Sequence, residues 1–196
     1  MIFVTSDTHF YHNNIIRYDN LPFDNPEEMN EKIIAEWNKR VQPCDEVYHL
    51  GDVFFCGKED AKAIMDRLNG TKHLIMGNHD KHGVQWFYDV GFETVSKHPI
   101  ILDGYVQLSH YPPEYTSEDR PNIYLYGHVH NSPDYLSINR KSACVCCSRW
   151  GYAPIRYDAI IEAIQQYDNR YNATHALDIG QIFNVIDLSM FHTIDN

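Results

Sequence analysis

Five short clusters of side chains able to bind a cation lie in order along the chain: Asp7-Thr8-His9, Gly51-Asp52, Gly77-Asn78-His79-Asp80, His110 and Gly127-His128-Val129-His130. Together they carry enough oxygen and nitrogen donors for two metal ions. A donor set that mixes carboxylate with imidazole suits borderline divalent cations such as manganese, iron, zinc, cobalt or nickel. Calcium and magnesium favour shells of oxygen alone. In extended backbone, residues two apart project to one side. Asp7 and His9 are therefore expected to converge while Thr8 turns away, and His128 and His130 to repeat that geometry. Gly51 and Gly127 each stand directly before a candidate ligand, and Gly77 before Asn78, which predicts sharply turned backbone at those points. A single Asp-x-His is a weak signal, whereas five clusters in order form a strong one.

Each cluster follows a short apolar run rich in β-formers: Ile2-Phe3-Val4, Val47-Tyr48-His49-Leu50, His73-Leu74-Ile75-Met76, Val106-Gln107-Leu108 and Ile123-Tyr124-Leu125-Tyr126. The ligands are thus expected where strands end, as in α/β sheets. The pattern predicts strands near 1–6, 46–50 and 71–76, and helices near 26–39, 58–68 and 80–89. Further strands are expected near 93–96, 98–102, 105–109, 122–126, 135–139 and 142–147, and a final helix over 154–166. Pro26 opens the first helix, Glu27 and Glu28 follow, and Met29, Ile33, Ile34 and Trp37 form its apolar stripe. Residues 10–25 read as irregular. The first half alternates strand and helix and the second half is mostly strand, with no repeat or linker dividing it.

At 196 residues, 43% hydrophobic and 22% charged, the chain reads as one globular domain able to bury a core without staples. No run approaches the ~20 apolar residues of a membrane span, and no secretory leader is visible. The cysteines, Cys44, Cys56, Cys144, Cys146 and Cys147, are odd in number and show no C-x-x-C pair, so reduced thiols in the cytoplasm are expected. Cys144 and Cys146 alternate in a strand-like run and read as small core side chains. A formal net charge of −11 without a basic stripe argues against tight nonspecific binding to nucleic acid, and favours a small phosphorylated substrate.

The clusters, with the flanking Ser6-Asp7-Thr8-His9-Phe10 and Leu50-Gly51-Asp52, resemble the motif set of the calcineurin-like metallophosphoesterase superfamily, in the spacing of its compact bacterial and phage-type members. The resemblance runs from the first strand to about residue 157. It implies an α/β fold, a four-layer α/β/β/α sandwich of two mixed sheets flanked by helices. It further implies two divalent metal ions, manganese first among the candidates. One would be held by Asp7, His9, Asp52 and His130. Asp52 would bridge to the other, completed by Asn78, His110 and His128. His79, given no metal in the family, is similar to the residue that protonates the leaving oxygen or stabilises the transition state. Asp80 would orient its imidazole, although the family often has Glu there. The domain is expected to span 1–169, with 170–196 an extension packing on the domain or on a second subunit of a homo-oligomer.

Other residues carry weaker signals. His12, Asn13 and Arg17 follow the first ligand pair on a loop, and Tyr111 follows His110, so all four could reach a substrate. His49 and His73 read as core histidines or as supports behind a ligand. Arg120 and Arg149 could meet phosphate, but a surface role is the commoner one. The leading expectation is hydrolysis of a small phosphodiester or phosphomonoester, a nucleotide among them. The alternatives are a nuclease for short or single-stranded nucleic acid, and a binding protein of the same fold with weak turnover.

Overall fold

The structure, a computed structural model, describes residues 1–114 and 121–173. Strands β1 (Ile2–Thr5), β2 (Glu46–His49), β3 (Thr71–Ile75) and β4 (Thr94–Ser96) run parallel, and β9 (Ile155–Arg156) joins antiparallel, in the order β4-β3-β2-β1-β9. The second sheet has the order β5-β6-β7-β8, from β5 (Ile100–Leu102), β6 (Val106–Ser109), β7 (Ile123–Tyr126) and β8 (Ser142–Cys144). Its β5 is antiparallel to β6, whereas β6, β7 and β8 are parallel, so both sheets are mixed.

The first sheet divides two cores because its side chains alternate faces. Phe3, Val47 and Leu74 face one way, onto α2 (Pro26–Arg40), α3 (Lys58–Met65) and α4 (Val84–Val90). Val4 and Ile75 face the other, where Val106, Leu108, Leu125 and Ala143 of the second sheet meet Ile160 and Ile164 of α5 (Tyr157–Ala173). Burying each such aliphatic side chain stabilises the fold by roughly 1.5–3 kcal/mol. Helix α2 starts as expected: the Asn25 side chain accepts from the Glu28 amide at 2.8 Å, Pro26 opens the first turn, and Met29, Ile33, Ile34 and Trp37 are buried. A smaller cluster, Tyr126, Cys144 and Cys146 with Val129, contains no helix residue, so a fourth, helical layer is not established there.

Several local expectations need correction. Residues 10–25 contain a helix, α1 (Asn13–Tyr18), which Ile15 and Ile16 anchor in the α2 core. The expected strand near 135–139 reduces to one bridge, Ile138 with Ala143. The final helix starts at Tyr157, because Ile155 and Arg156 pair with β1, and it runs on to Ala173. Residues 174–196, which hold most of the expected C-terminal extension, and Arg120 lie outside the described residues. No helix of the described residues is long and apolar enough to cross a membrane.

What positions the site is the register. Thr5 pairs with His49 and His49 with Leu74, so the first three strands end level and the loops after them leave from one edge. The second sheet is brought to that edge just beyond β8, where the Ser6 amide donates to Val145 O (3.1 Å) and the Cys147 amide to Ser6 O (3.0 Å).

Candidate metal centre

The ligand clusters leave the strands on backbone that is not extended. Asp7 (φ 55°), His9 (46°), Asp52 (60°), His128 (70°) and His130 (45°) all adopt left-handed conformations, each costing about 1–3 kcal/mol for a non-glycine residue. The extended geometry expected for Asp7-x-His9 and His128-x-His130 is therefore wrong, because β1 ends at Thr5 and β7 at Tyr126. Hydrogen bonds between the loops over-determine this shape: the Asp7 amide donates to Gly51 O (2.9 Å), the His9 amide to Asp52 O (3.1 Å) and the Phe10 amide to Val53 O (2.8 Å). Thr8 does turn inward, its hydroxyl 3.0 Å from His49 Nε2. Gly51 takes φ 94°, and a Cβ on it would stand 2.5 Å from Gly77 N, so both turn and crowding exclude a side chain.

The seven side chains converge in two half-sites. In the first, His9 Nε2 is 3.1 Å from His130 Nε2, and Asp7 Oδ1 is 3.9 and 3.3 Å from those nitrogens. In the second, Asn78 Oδ1 lies 2.8 Å from both His110 Nε2 and His128 Nδ1. Asp52 Oδ2 stands between them, 4.0 Å from His9 Nε2 and 3.5 Å from His110 Nε2. His128 and His130 thus part to opposite halves instead of sharing a side. Asp7, His9 and His130 could hold one cation, as could Asp7, Asp52 and His110.

The donor set fits cations in its finer chemistry too. Each central carboxylate commits one oxygen to the protein and turns the other to the centre. Asp7 Oδ2 accepts from the His128 amide (3.0 Å) and the Cys146 thiol (3.1 Å), while its buried Oδ1 has no hydrogen bond. Asp52 Oδ1 accepts from the His79 amide at 2.8 Å, which leaves Oδ2 inward. The imidazoles follow the same rule. His110 Nδ1 meets Leu50 O at 2.7 Å; a carbonyl can only accept, so Nδ1 carries the proton and Nε2 keeps its lone pair for the centre. His130 Nδ1 likewise bonds Asp19, and His9 Nδ1 lies 3.4 Å from His12 Nδ1. An orphaned carboxylate oxygen amid inward-turned nitrogens is what a cation would satisfy.

Charge is distributed unevenly. Burial, opposed by Asp7 and reinforced by His130, holds His9 well below the usual imidazole range, which favours the neutral ring. Burial also disfavours the charged form of His130, but the hydrogen bond to Asp19 and the negative charges of Asp19 and Asp7 outweigh it and raise its pKa to about 10. Burial pushes Asp7 up, yet His130 and His9 beside it win and hold it well below the usual carboxylate range. Asp52 is raised to about 6, chiefly by burial, with the nearby His110 and the hydrogen bond from the His79 amide opposing it.

Asp80 does not take the place expected for it. Its carboxylate accepts from the amides of Asp52 (2.8 Å), Gly77 (2.8 Å) and Val53 (3.1 Å), and among the described residues it makes no hydrogen bond to His79. It ties the loop after β2 to the loop after β3. His79 is exposed, with its ring 5.8 Å from that of His9 and 5.2 Å from that of Phe55. His12 stacks on Phe55 with centroids 3.6 Å apart, and Tyr111 leans on His128 at 4.6 Å. Asn13 and Arg17 are exposed on α1 and touch none of these groups among the described contacts. His49 is buried and its pKa is lowered by burial to about 3, whereas His73 stands half-buried away from the site, bonded to Thr94 Oγ1 at 2.9 Å. Arg149 binds the carbonyls of His130, Ser132 and Tyr135 and so clamps the loop after β7.

Sequence reasoning missed Asp19, Phe55 and the Cys146–Asp7 bond. The cysteines are buried as expected, but only the folded chain brings Cys146 to Asp7, 139 residues away. Asp19 is one of many acidic residues, and no spacing rule ties it to His130.

Two mixed sheets ending in paired carboxylate, amide and imidazole donors define a metal-binding phosphoesterase-type domain. The chain belongs to the calcineurin-like phosphoesterase superfamily, whose domain description matches residues 1–146. It is similar to the uncharacterized protein MJ1445 of Methanocaldococcus jannaschii, 36% identical over 172 residues, which cover 84% of this chain and 92% of that protein. It also resembles the crystal structure of the protein of unknown function AQ665 from Aquifex aeolicus, with a TM-score of 0.64 and 29% identity, covering 83% of this chain and 98% of that one. Metal-dependent phosphoester hydrolysis is the chemistry this membership suggests.

Proposed function

We propose that the protein hydrolyses a small phosphodiester or phosphomonoester with two divalent cations, manganese first among them, and that it works in the cytoplasm. The observation that carries this reading is the central Asp52 carboxylate, between two half-sites at 4.0 and 3.5 Å, with the His79 imidazole outside both donor sets. Asp7, His9, Asp52 and His130 would hold one cation, and Asp52, Asn78, His110 and His128 the other. Bound there, the cations supply Lewis acidity toward water and toward the phosphoryl oxygens. The protein's own groups do the rest. Asp7 and Asp52 keep one oxygen each fixed by backbone amides, so their free oxygens stay aimed inward without reorganisation. His79, exposed at the mouth and free of side-chain hydrogen bonds among the described residues, gives a proton to the leaving oxygen. Asp80 acts on the reaction only through the loops it joins. The net charge of −11 favours a small anion neutralised at the centre over a long polyanion.

The test is hydrolysis of bis(p-nitrophenyl) phosphate by manganese-reconstituted protein. His79→Ala is expected to lower kcat by roughly 10²–10⁴-fold with metal content unchanged by elemental analysis. Full activity in metal-free protein would reject the two-metal reading. Normal metal loading without hydrolysis under any divalent ion would leave a binding protein of this fold.

A further inference from the structure

On the His110 side of the centre, a groove of about 290 Å³ opens between the end of β3 and the segment after β6. Met76, Pro112 and Tyr111 give it apolar walls, and Lys97, Gln107 and Glu114 give it polar edges. His110 lines it as well, so the groove adjoins the second half-site. Tyr111 is 54% exposed, and its ring rests against His110 and His128 at 5.1 and 4.6 Å. This aromatic surface is fixed by the ligand rings and is not consumed by a core. Lys97, Gln107 and Glu114 make no side-chain hydrogen bonds among the described residues, so a cation, an amide and a carboxylate all remain for a ligand.

That lining discriminates between substituents. A second phosphate would use Lys97 but be repelled by Glu114, and an alkyl or acyl chain would leave all three polar groups unmatched. A planar heterocycle presents an apolar face to Tyr111 and Met76 and an edge of mixed donors and acceptors to the rest. The volume sits at the lower end of small-ligand pockets, about 300–1,000 Å³, which suits one such group. We propose that this groove is the subsite for a nucleobase, so that the ester handled at the centre is a nucleotide; the placement of the phosphate rests on the phosphoesterase reading above.

Adenosine 5′-monophosphate and ribose 5-phosphate share phosphate and sugar and differ only in the base. Their dissociation constants are measured by calorimetry on the manganese-loaded protein, or their KM values if they turn over. The nucleotide is expected to bind about tenfold tighter, the usual scale of one base on an aromatic side chain. Tyr111→Ala should abolish most of that preference. Lys97→Ala, at an exposed position where misfolding is no concern, should reduce it several-fold, with a larger loss for the nucleotide than for the sugar phosphate. Equal affinities in the unmodified protein, or a preference that survives both substitutions, would overturn the inference. A base preference that persists while no ester is hydrolysed would instead sink the phosphoesterase reading and leave the subsite standing.

Discussion

His130 stands between two carboxylates, Asp7 on the side of the centre and Asp19 behind it. Asp19 fixes the ring so that Nε2 faces inward, and removing such a support commonly costs 10–100-fold in metal affinity. Asp19→Asn is therefore expected to weaken metal binding by about that factor, read by competition with a chromogenic chelator, with little change in fold. Asp80 makes the opposite prediction. Three backbone amides depend on its carboxylate, so Asp80→Ala should destabilise the protein by about 3 kcal/mol or more in urea unfolding, whereas His79→Ala should leave stability near wild type. A variant at Asp80 that keeps full stability and loses only turnover would restore the catalytic role that adjacency to His79 suggests. Adjacency misled because neighbours on a turning backbone need not point alike: the Asp80 carboxylate is turned to the loops, while the His79 ring sits at the mouth.

At the scale of elements, parallel strands ending level make a site from loops that are far apart in the chain. The closeness of those loops is what Gly77 permits. A Cβ there would meet Asp52 Oδ1 at 2.2 Å, Asp52 N at 2.7 Å and His110 Cε1 at 2.8 Å. Gly77→Ala is expected to cut metal content well below stoichiometric, measured by elemental analysis on folded protein, because the cheapest relief is to push Asp52 and His110 off the centre. Most elements were legible because periodicity and caps are local: α2 has its Asn25 cap, Pro26 and a stripe of buried apolar residues. Helix α1 was not, since it has six residues, no side-chain cap and two isoleucines that become informative only against α2. The segment near 135–139 carries strand-like residues, but Arg149 binds the Tyr135 carbonyl and those of His130 and Ser132 in the preceding loop, and only one bridge forms.

For the whole molecule, the buried charges link stability to pH and to metal. His130 is raised from 6.5 to about 10, so its charged form stabilises the metal-free fold below pH 6.5, and that contribution is lost as pH rises toward 10. Asp52, raised from 3.8 to about 6, costs stability as pH rises through that interval. Asp7, held below the usual range, acts the other way only in acid, below about pH 4. From pH 6 to 9 the metal-free fold therefore weakens while the ligands lose the protons that compete with a cation. The rise in Tm on saturation with manganese should grow across that range, and buffer-dependent calorimetry should show proton release on binding. A gain independent of pH would place His130 outside the metal site.

Residue types and spacing alone placed clusters of candidate cation donors after strand-forming runs and gave the chain its net negative charge, because composition and period-two or period-3.6 patterns are local properties. Only the tertiary structure decided how those donors are aimed. It set the left-handed backbone that places five of them, the parting of His128 from His130, the carboxylate of Asp19 behind a ligand and the three amides that claim Asp80. Each of these depends on contacts between residues distant in sequence or on a backbone state that side-chain type does not specify, so no reading of neighbours along the chain could supply them.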